Sequence, residues 1–193
     1  MVGEVGQSSF DISKSAIDAF VVDAFDFADL EIAAGQSKLD DSDISLSAAI
    51  GYRLLPYLAV ELSYMDFGKA SYDASGTVSD GFSSDDVSLG LEVEVAGPTL
   101  SLLAIYPINE TWEVFARAGA MFSKTKVSVT LEVDAERFKE SDSDNSTELL
   151  WGLGVAYNFS ERMSVRAEYS QVKEAAGEEF DVDRMVIGLI YAF

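Results

Sequence analysis

The chain has 193 residues, 34 acidic against 13 basic, for a formal net charge of −21. That balance excludes nucleic acid as a partner, whose phosphates require Lys and Arg. There is no Cys and no His, which removes disulfides, thiolate chemistry, the Ser-His-Asp and Cys-His nucleophile systems and the commonest metal ligand. The length fits one domain with a sizeable core. No run of 18 apolar residues exists to make a transmembrane helix. The opening "MVGEVGQSSFD" has neither the basic start nor the apolar stretch of a secretory signal, so the chain is expected to be cytosolic or a mature form.

Residues 1–27 form an N-terminal segment. Within it, Ile17, Phe20, Val21, Ala24 and Phe25 recur at helical spacing with Asp11 placed to cap, which predicts a short amphipathic helix. It is expected to plug the remaining fold or to lie at an interface. From residue 28 to 193 the pattern changes to strands, at 28–39, 44–54, 57–68, 89–106, 112–133, 148–159, 162–173 and 181–193. Each alternates apolar and polar residues over much of its length. In "MSVRAEYSQ", Met163, Val165, Ala167 and Tyr169 take one face, and Ser164, Arg166, Glu168 and Ser170 the other.

The connections alternate in length. Short links ("LLPY", "PINET", "NFSERM") are interleaved with long acidic ones such as "SYDASGTVSDGFSSDD" and "ERFKESDSDNSTE". Short turns at one end and long loops at the other are the pattern of an up-and-down membrane barrel. The bulky apolar residues share one face, for example Trp151, Leu153, Val155 and Tyr157, while Gly, Ser, Arg and Glu share the other. An eight-stranded barrel is too narrow to hold that many rings, but small and charged side chains fit it. The apolar face is therefore predicted to point into lipid.

Glu61, between Val60 and Leu62, then points inward, where a carboxylate must be paired to be tolerated. Arg117, Arg166 and Glu168 share its inward parity and are expected to join it in one network, with Arg53 and Glu113 nearer the short turns. Two aromatic girdles follow. One comprises Tyr52, Tyr106, Trp112, Tyr157 and Tyr191. The other, further up, comprises Tyr64, Phe122, Trp151 and Tyr169.

The segments 89–106 and 112–133 far exceed the ~9–11 residues a membrane strand needs. Along them the apolar set changes parity. Either a bulge near Gly97–Pro98 re-aims the strand, or the strands continue beyond the lipid with a charged outer and an apolar inner face. The second reading predicts an apolar mouth lined by Leu91, Val93, Val95, Val127 and Val129, which takes a small hydrophobic ligand unless loops fill it.

"GYRLLPYLAVELSYMDFG", "YPINETWEVFARAG", "GLGVAYNFSERMSVRAEYS" and "IGLIYAF" resemble the OmpA-like transmembrane-domain family of small eight-stranded outer-membrane β-barrels, over roughly residues 43–193. The resemblance implies a Gram-negative outer membrane, surrounding lipid and lipopolysaccharide, both termini in the periplasm and the long loops outside. It implies a barrel alone, acting as structural anchor, adhesin or poorly conducting pore. It also implies that Phe193, the terminal aromatic, belongs to the signal read by the outer-membrane assembly machinery.

No motif for a cofactor or metal stands out. "GLG" at 152–154 is explained by inward strand glycines, and "NFS" at 158–160 falls in a short turn. The acidic "KLDDSD" and "ESDSDN" suit hard cations but lack the ordered spacing of a calcium loop. Outer-membrane lipases and acyltransferases resemble this architecture but use a catalytic His, so no enzymatic activity is expected. A structural or surface-interaction barrel with a mostly closed polar interior is the leading reading. A small porin-like or hydrophobic-ligand barrel is the alternative, and a soluble lipocalin-like carrier the third.

Overall fold

The computed structural model describes the backbone of residues 1–27, 31–79, 84–133, 136–175 and 180–193. Among the described residues are nine strands and one helix: β1 (Val2–Phe10), α1 (Lys14–Phe27), β2 (Glu31–Asp40), β3 (Ser42–Leu55), β4 (Leu58–Ser79), β5 (Ser84–Pro107), β6 (Trp112–Val133), β7 (Glu136–Asn158), β8 (Met163–Glu174) and β9 (Phe180–Tyr191). All pairings are antiparallel. The order β4-β3-β1-β9-β8-β7-β6-β5 closes on itself through β4–β5, giving an eight-stranded barrel. Closure leaves no free edge within the ring, as a strand surrounded by lipid requires.

The seam is made by β1, so the N-terminal segment 1–27, expected outside the barrel, contributes a strand to it. β1 lies between β3 and β9, from Val2↔Ala49 and Val2↔Ile190 up to Phe10↔Val182. Its inward residues are Val2, Glu4, Ser8 and Phe10, and its outward ones include Gly3, Val5 and Ser9. Neither set is strongly apolar, so the alternation gave little signal. The expected first strand, 28–39, is instead the upper continuation of the next one: β2 and β3 both pair with β4, from Glu31↔Ser79 and Leu46↔Asp66 respectively. Residues 28–30 lie outside the described residues.

The segments expected as long acidic loops are largely strand. β4, β5, β6 and β7 run for 22, 24, 22 and 23 residues, against 9, 12 and 12 for β1, β8 and β9. At ~3.3 Å per residue, the ten or so extra residues carry an open sheet about 30 Å past the long-loop rim. β2 forms one edge of this sheet and upper β7 the other.

The register of β5 on β6 runs from Val87↔Val133 to Pro107↔Glu113 without a slip, so no bulge occurs at Gly97–Pro98. The shift is on β4, between Asp66 and Lys69. There Gly68 adopts φ 71°, a conformation Gly reaches without steric cost. Asp66 Oδ1 accepts the Gly68 N–H at 2.8 Å, and Asp43 Oδ2 accepts the Lys69 N–H at 2.9 Å. This bulge moves the inward set of β4 from odd to even residues: Met65 and Phe67 below it are buried, as are Ala70 and Tyr72 above it.

The short turns are tied by side chains. Asn109 Oδ1 accepts the N–H groups of Thr111 and Trp112 at 2.9 and 2.8 Å, and Ser160 Oγ accepts that of Met163 at 2.9 Å. Such local bonding is why these residue types favour turns.

Helix α1 stands at the long-loop end, between the top of β1 and the top of β2. Ser13, not Asp11, occupies the capping position, its carbonyl accepting from Ala16 and Ile17. The inward face is Lys14, Ile17, Asp18 and Val21, whereas Phe20, expected on it, is exposed. Polar contacts set this rotation. Lys14 Nζ donates to Asp18 at 2.8 Å, and Asp18 Oδ1 accepts from Ser37 and from Tyr72, each at 2.7 Å. The side chains of Ala24 and Phe25 lie outside the described residues.

Candidate functional site

The outer surface of the ring below the rim is apolar. Leu46, Ile50, Leu62, Leu100, Leu102, Leu153, Ile187 and Leu189 are all exposed, from neighbouring strands and on one face. A contiguous apolar belt of this size on an isolated chain marks contact with another apolar phase. The girdle residues lie on the same face. Trp112 and Tyr157 pack with ring centroids 4.8 Å apart beside the short turns. Further up, Trp151 and Tyr169 meet edge-on at 5.9 Å. Tyr52, Tyr106 and Tyr191 are exposed near the short turns, and Tyr64 and Phe122 near the rim.

The interior is layered. At the short-turn end a vestibule of about 800 Å³ is lined in part by Arg53, Glu113, Arg162 and Phe193. Arg53 Nη2 donates to Glu113 Oε2 at 2.8 Å, separate from the deeper charges. Phe193 lies past the end of β9, exposed.

Above the vestibule six buried charges alternate in one chain, Glu168–Arg117–Glu61–Arg166–Glu4–Arg184. Arg117 donates from Nε and Nη2 to the two oxygens of Glu168, at 2.8 and 3.0 Å, and from Nη2 to Glu61 at 2.7 Å. Arg166 grips Glu61 from Nη1 and Nη2, at 2.8 and 3.1 Å, and donates from Nε to Glu4 at 2.6 Å. Arg184 donates to Glu4 at 3.1 Å, to Ser45 at 2.8 Å and to Ser47 at 2.6 Å. Three carboxylates and three guanidiniums cancel, and the forked geometry of Arg matches the carboxylate pair. Two rings support the chain, with Arg166 5.8 Å from the Phe115 centroid and Arg184 6.0 Å from that of Phe67.

The structure brings together the four interior residues expected from sequence and adds Glu4 and Arg184. Glu4 was missed because β1 was not read as a strand. Arg184 was legible, since it alternates with Val182 and Val186 in "FDVDRMVIG". A further inward carboxylate, Glu148, accepts from Ser123 at 2.6 Å and from Ser146.

Toward the rim the interior turns apolar. Phe10, Met65, Phe67, Val95, Met121, Leu150, Val172 and Val182 are buried in one cluster, with Ile12, Val93 and Phe180 packed against it. The five residues expected to line a single mouth therefore divide. Val95 is inside the filled core and Val93 at its edge. Leu91, Val127 and Val129 lie on the inner face of the protruding sheet, Val127 and Val129 being 39% and 38% exposed. Among the described residues they form no enclosed cup, because β1, β8 and β9 stop near the rim and provide no opposite wall.

The outer face of the protruding sheet is charged. Lys69–Glu92, Lys126–Glu94 and Arg137–Glu132 pair across strands at 2.9, 3.4 and 3.2 Å. The Glu92 bond to Lys69 lowers the carboxyl's pKa and raises that of the ammonium. Among the described residues no group of three or more carboxylates converges to hold a metal ion.

A closed antiparallel ring with an apolar, aromatic-belted exterior and a paired polar interior is a membrane-spanning β-barrel. Over residues 3–192 the chain matches the OmpA-like transmembrane domain, and it belongs to that family of outer-membrane barrels. No curated protein sequence matches it. Among solved structures it is similar to Ail, the attachment invasion locus protein of Yersinia pestis, at 16% identity and a TM-score of 0.42, covering 100% of this chain and 97% of that one. It is also similar to Neisserial surface protein A, at 11% identity and a TM-score of 0.45, again covering 100% and 97%. Ail has also been solved with the heparin analogue sucrose octasulfate; that structure has 16% identity, complete coverage of both chains and a TM-score of 0.39.

Proposed function

We propose that this protein is a non-enzymatic outer-membrane barrel with a closed interior, which works at the cell surface through the sheet standing above its rim. The observation that carries this reading is the six-charge chain across the lumen, capped by an apolar core. An ion entering the vestibule meets first a set of mutually bonded charges, then a tightly filled, mainly apolar layer whose buried polar groups, among them Thr99, Thr125 and Glu148, are set between Val95, Met121 and Leu150. Both layers oppose conduction.

In this reading the short turns and both termini face the periplasm, Phe193 is presented there to the assembly machinery, and the protruding sheet is extracellular. Of the Lys residues exposed on the long-loop side, Lys69, Lys126 and Lys173 are paired with Glu92, Glu94 and Asp181, and Lys124 would face the phosphates of lipopolysaccharide. Catalysis is not expected, because the chain has neither His nor Cys to serve as base or nucleophile. A second reading, binding of a small hydrophobe at the mouth, is favoured by the exposure of Val127 and Val129. The test is swelling of proteoliposomes in small sugars, together with a phospholipid-turnover assay. The closed-barrel reading expects neither swelling nor turnover, and either one would overturn it.

A further inference from the structure

The two faces of the protruding sheet treat charge differently. On the outer face the carboxylates of Glu92, Glu94 and Glu132 each have a cation from a neighbouring strand. On the inner face two cross-strand rows run from β4 to β7: Ala70–Val93–Val127–Asp142 and Tyr72–Leu91–Val129–Glu140. Each is apolar or aromatic over three strands and ends in a carboxylate. Among the described residues neither Asp142 nor Glu140 takes part in an ion pair.

Helix α1 covers the β4 side of this face through Asp18 and Tyr72. Among the described residues nothing covers the β5, β6 and β7 side, where Val127 and Val129 are exposed and Phe138, one row further out, is 60% exposed. The result is an apolar strip bordered by carboxylates along a free strand edge.

We propose that this inner face binds a cationic amphipathic peptide. The charge pattern decides among apolar occupants. A free fatty acid would bring its own anion to Asp142 and Glu140 on a molecule of net charge −21, whereas a basic amphipathic helix places Lys or Arg there and its apolar side on the valines. The dimensions agree. The nine residues of strand from Val87 to Val95, eight steps of ~3.3 Å, span about 27 Å, which matches a helix of roughly 18 residues at 1.5 Å per residue. This rests on the surface-acting, closed-barrel reading above.

The experiment uses the full folded chain in zwitterionic detergent, a fluorescein-labelled 18-residue Leu/Lys amphipathic peptide and fluorescence anisotropy, with empty micelles subtracted. Unheated mobility on an SDS gel reports folding of every variant. Glu140→Lys with Asp142→Lys is expected to weaken binding at least tenfold, and Val127→Ser with Val129→Ser several-fold. Glu92→Lys with Glu94→Lys, on the outer face, is expected to change it less than twofold. Three results overturn the proposal: undiminished binding by the inner-face charge variant, equal loss from the outer-face variant, or tighter uptake of a fluorescent fatty acid than of the peptide. None of these would make the barrel conduct, so failure here is distinguishable from failure of the closed-barrel reading.

Discussion

Arg117 meets Glu168 through two parallel hydrogen bonds, Nε–H to Oε1 at 2.8 Å and Nη2–H to Oε2 at 3.0 Å, with both side chains fully buried inside the barrel. Shared as it is with Glu61 through the same Nη2, Arg117 joins strand β6 to both β8 and β4 across the lumen. The pair holds strands that are not neighbours in the ring.

Replacing Arg117 with Met leaves two buried carboxylates short of a partner. The expected cost is about 3–5 kcal/mol, measured as a shift in urea unfolding of the folded protein in lipid. Adding Glu168→Gln should recover part of it, because the neutral amide needs no counter-charge. Equal stability of the single variant and wild type would remove the network from the account of stability.

Deleting residues 2–10 removes β1 and opens the ring between β3 and β9. It also strips Glu4 from Arg166 and Arg184. The shortened chain is expected to give no compact, heat-modifiable band on an SDS gel. A normal band would mean that β3 and β9 can close without it.

Substituting Gly68 with Val places a β-branched residue at φ 71°, with a Cβ 2.6 Å from Asp43 Oδ2. Strain of this kind costs about 1–3 kcal/mol, read from the urea midpoint. Because the bulge re-aims upper β4, the variant should also loosen the packing of Tyr72 on α1, raising hydrogen exchange there more than in β8.

The docking of α1 should depend on pH through Asp18. Hydrogen bonds from Lys14, Tyr72 and Ser37 hold its pKa at about 2, below the ordinary 3.8. A depressed carboxyl contributes stability that is fully present above pH 3.8 and is lost as pH falls through about 2. Hydrogen exchange of the α1 amides should therefore stay slow to about pH 3 and rise below it. In Asp18→Asn that step should vanish. A transition in the wild type near pH 5 would contradict the assignment.

The barrel was legible because lipid imposes a simple rule: one face of every strand must be apolar, as in Met163–Tyr169. The charge network was legible wherever the strand was, since parity alone points Glu61, Arg117 and Arg166 inward. What escaped has physical reasons. The outward set of β1 is Gly3, Val5, Gln7 and Ser9, only one of them bulky and apolar, so its lipid face is faint. Upper β7 reads "ERFKESDSDNS", a composition suited to a loop, and becomes strand only because β6 offers it a continuous ladder from Val133↔Glu136 downward. The parity change on β4 depends on one glycine bulge that periodicity cannot locate. The apolar mouth failed as a cup because its shape depends on where β1, β8 and β9 end.

Ion conductance across a planar lipid bilayer tests the central claim most directly. With the six charges paired and the apolar core above them, the wild-type protein is predicted to insert without producing conductance steps. Steady, reproducible steps from folded wild-type protein would contradict a closed interior and make the barrel a pore.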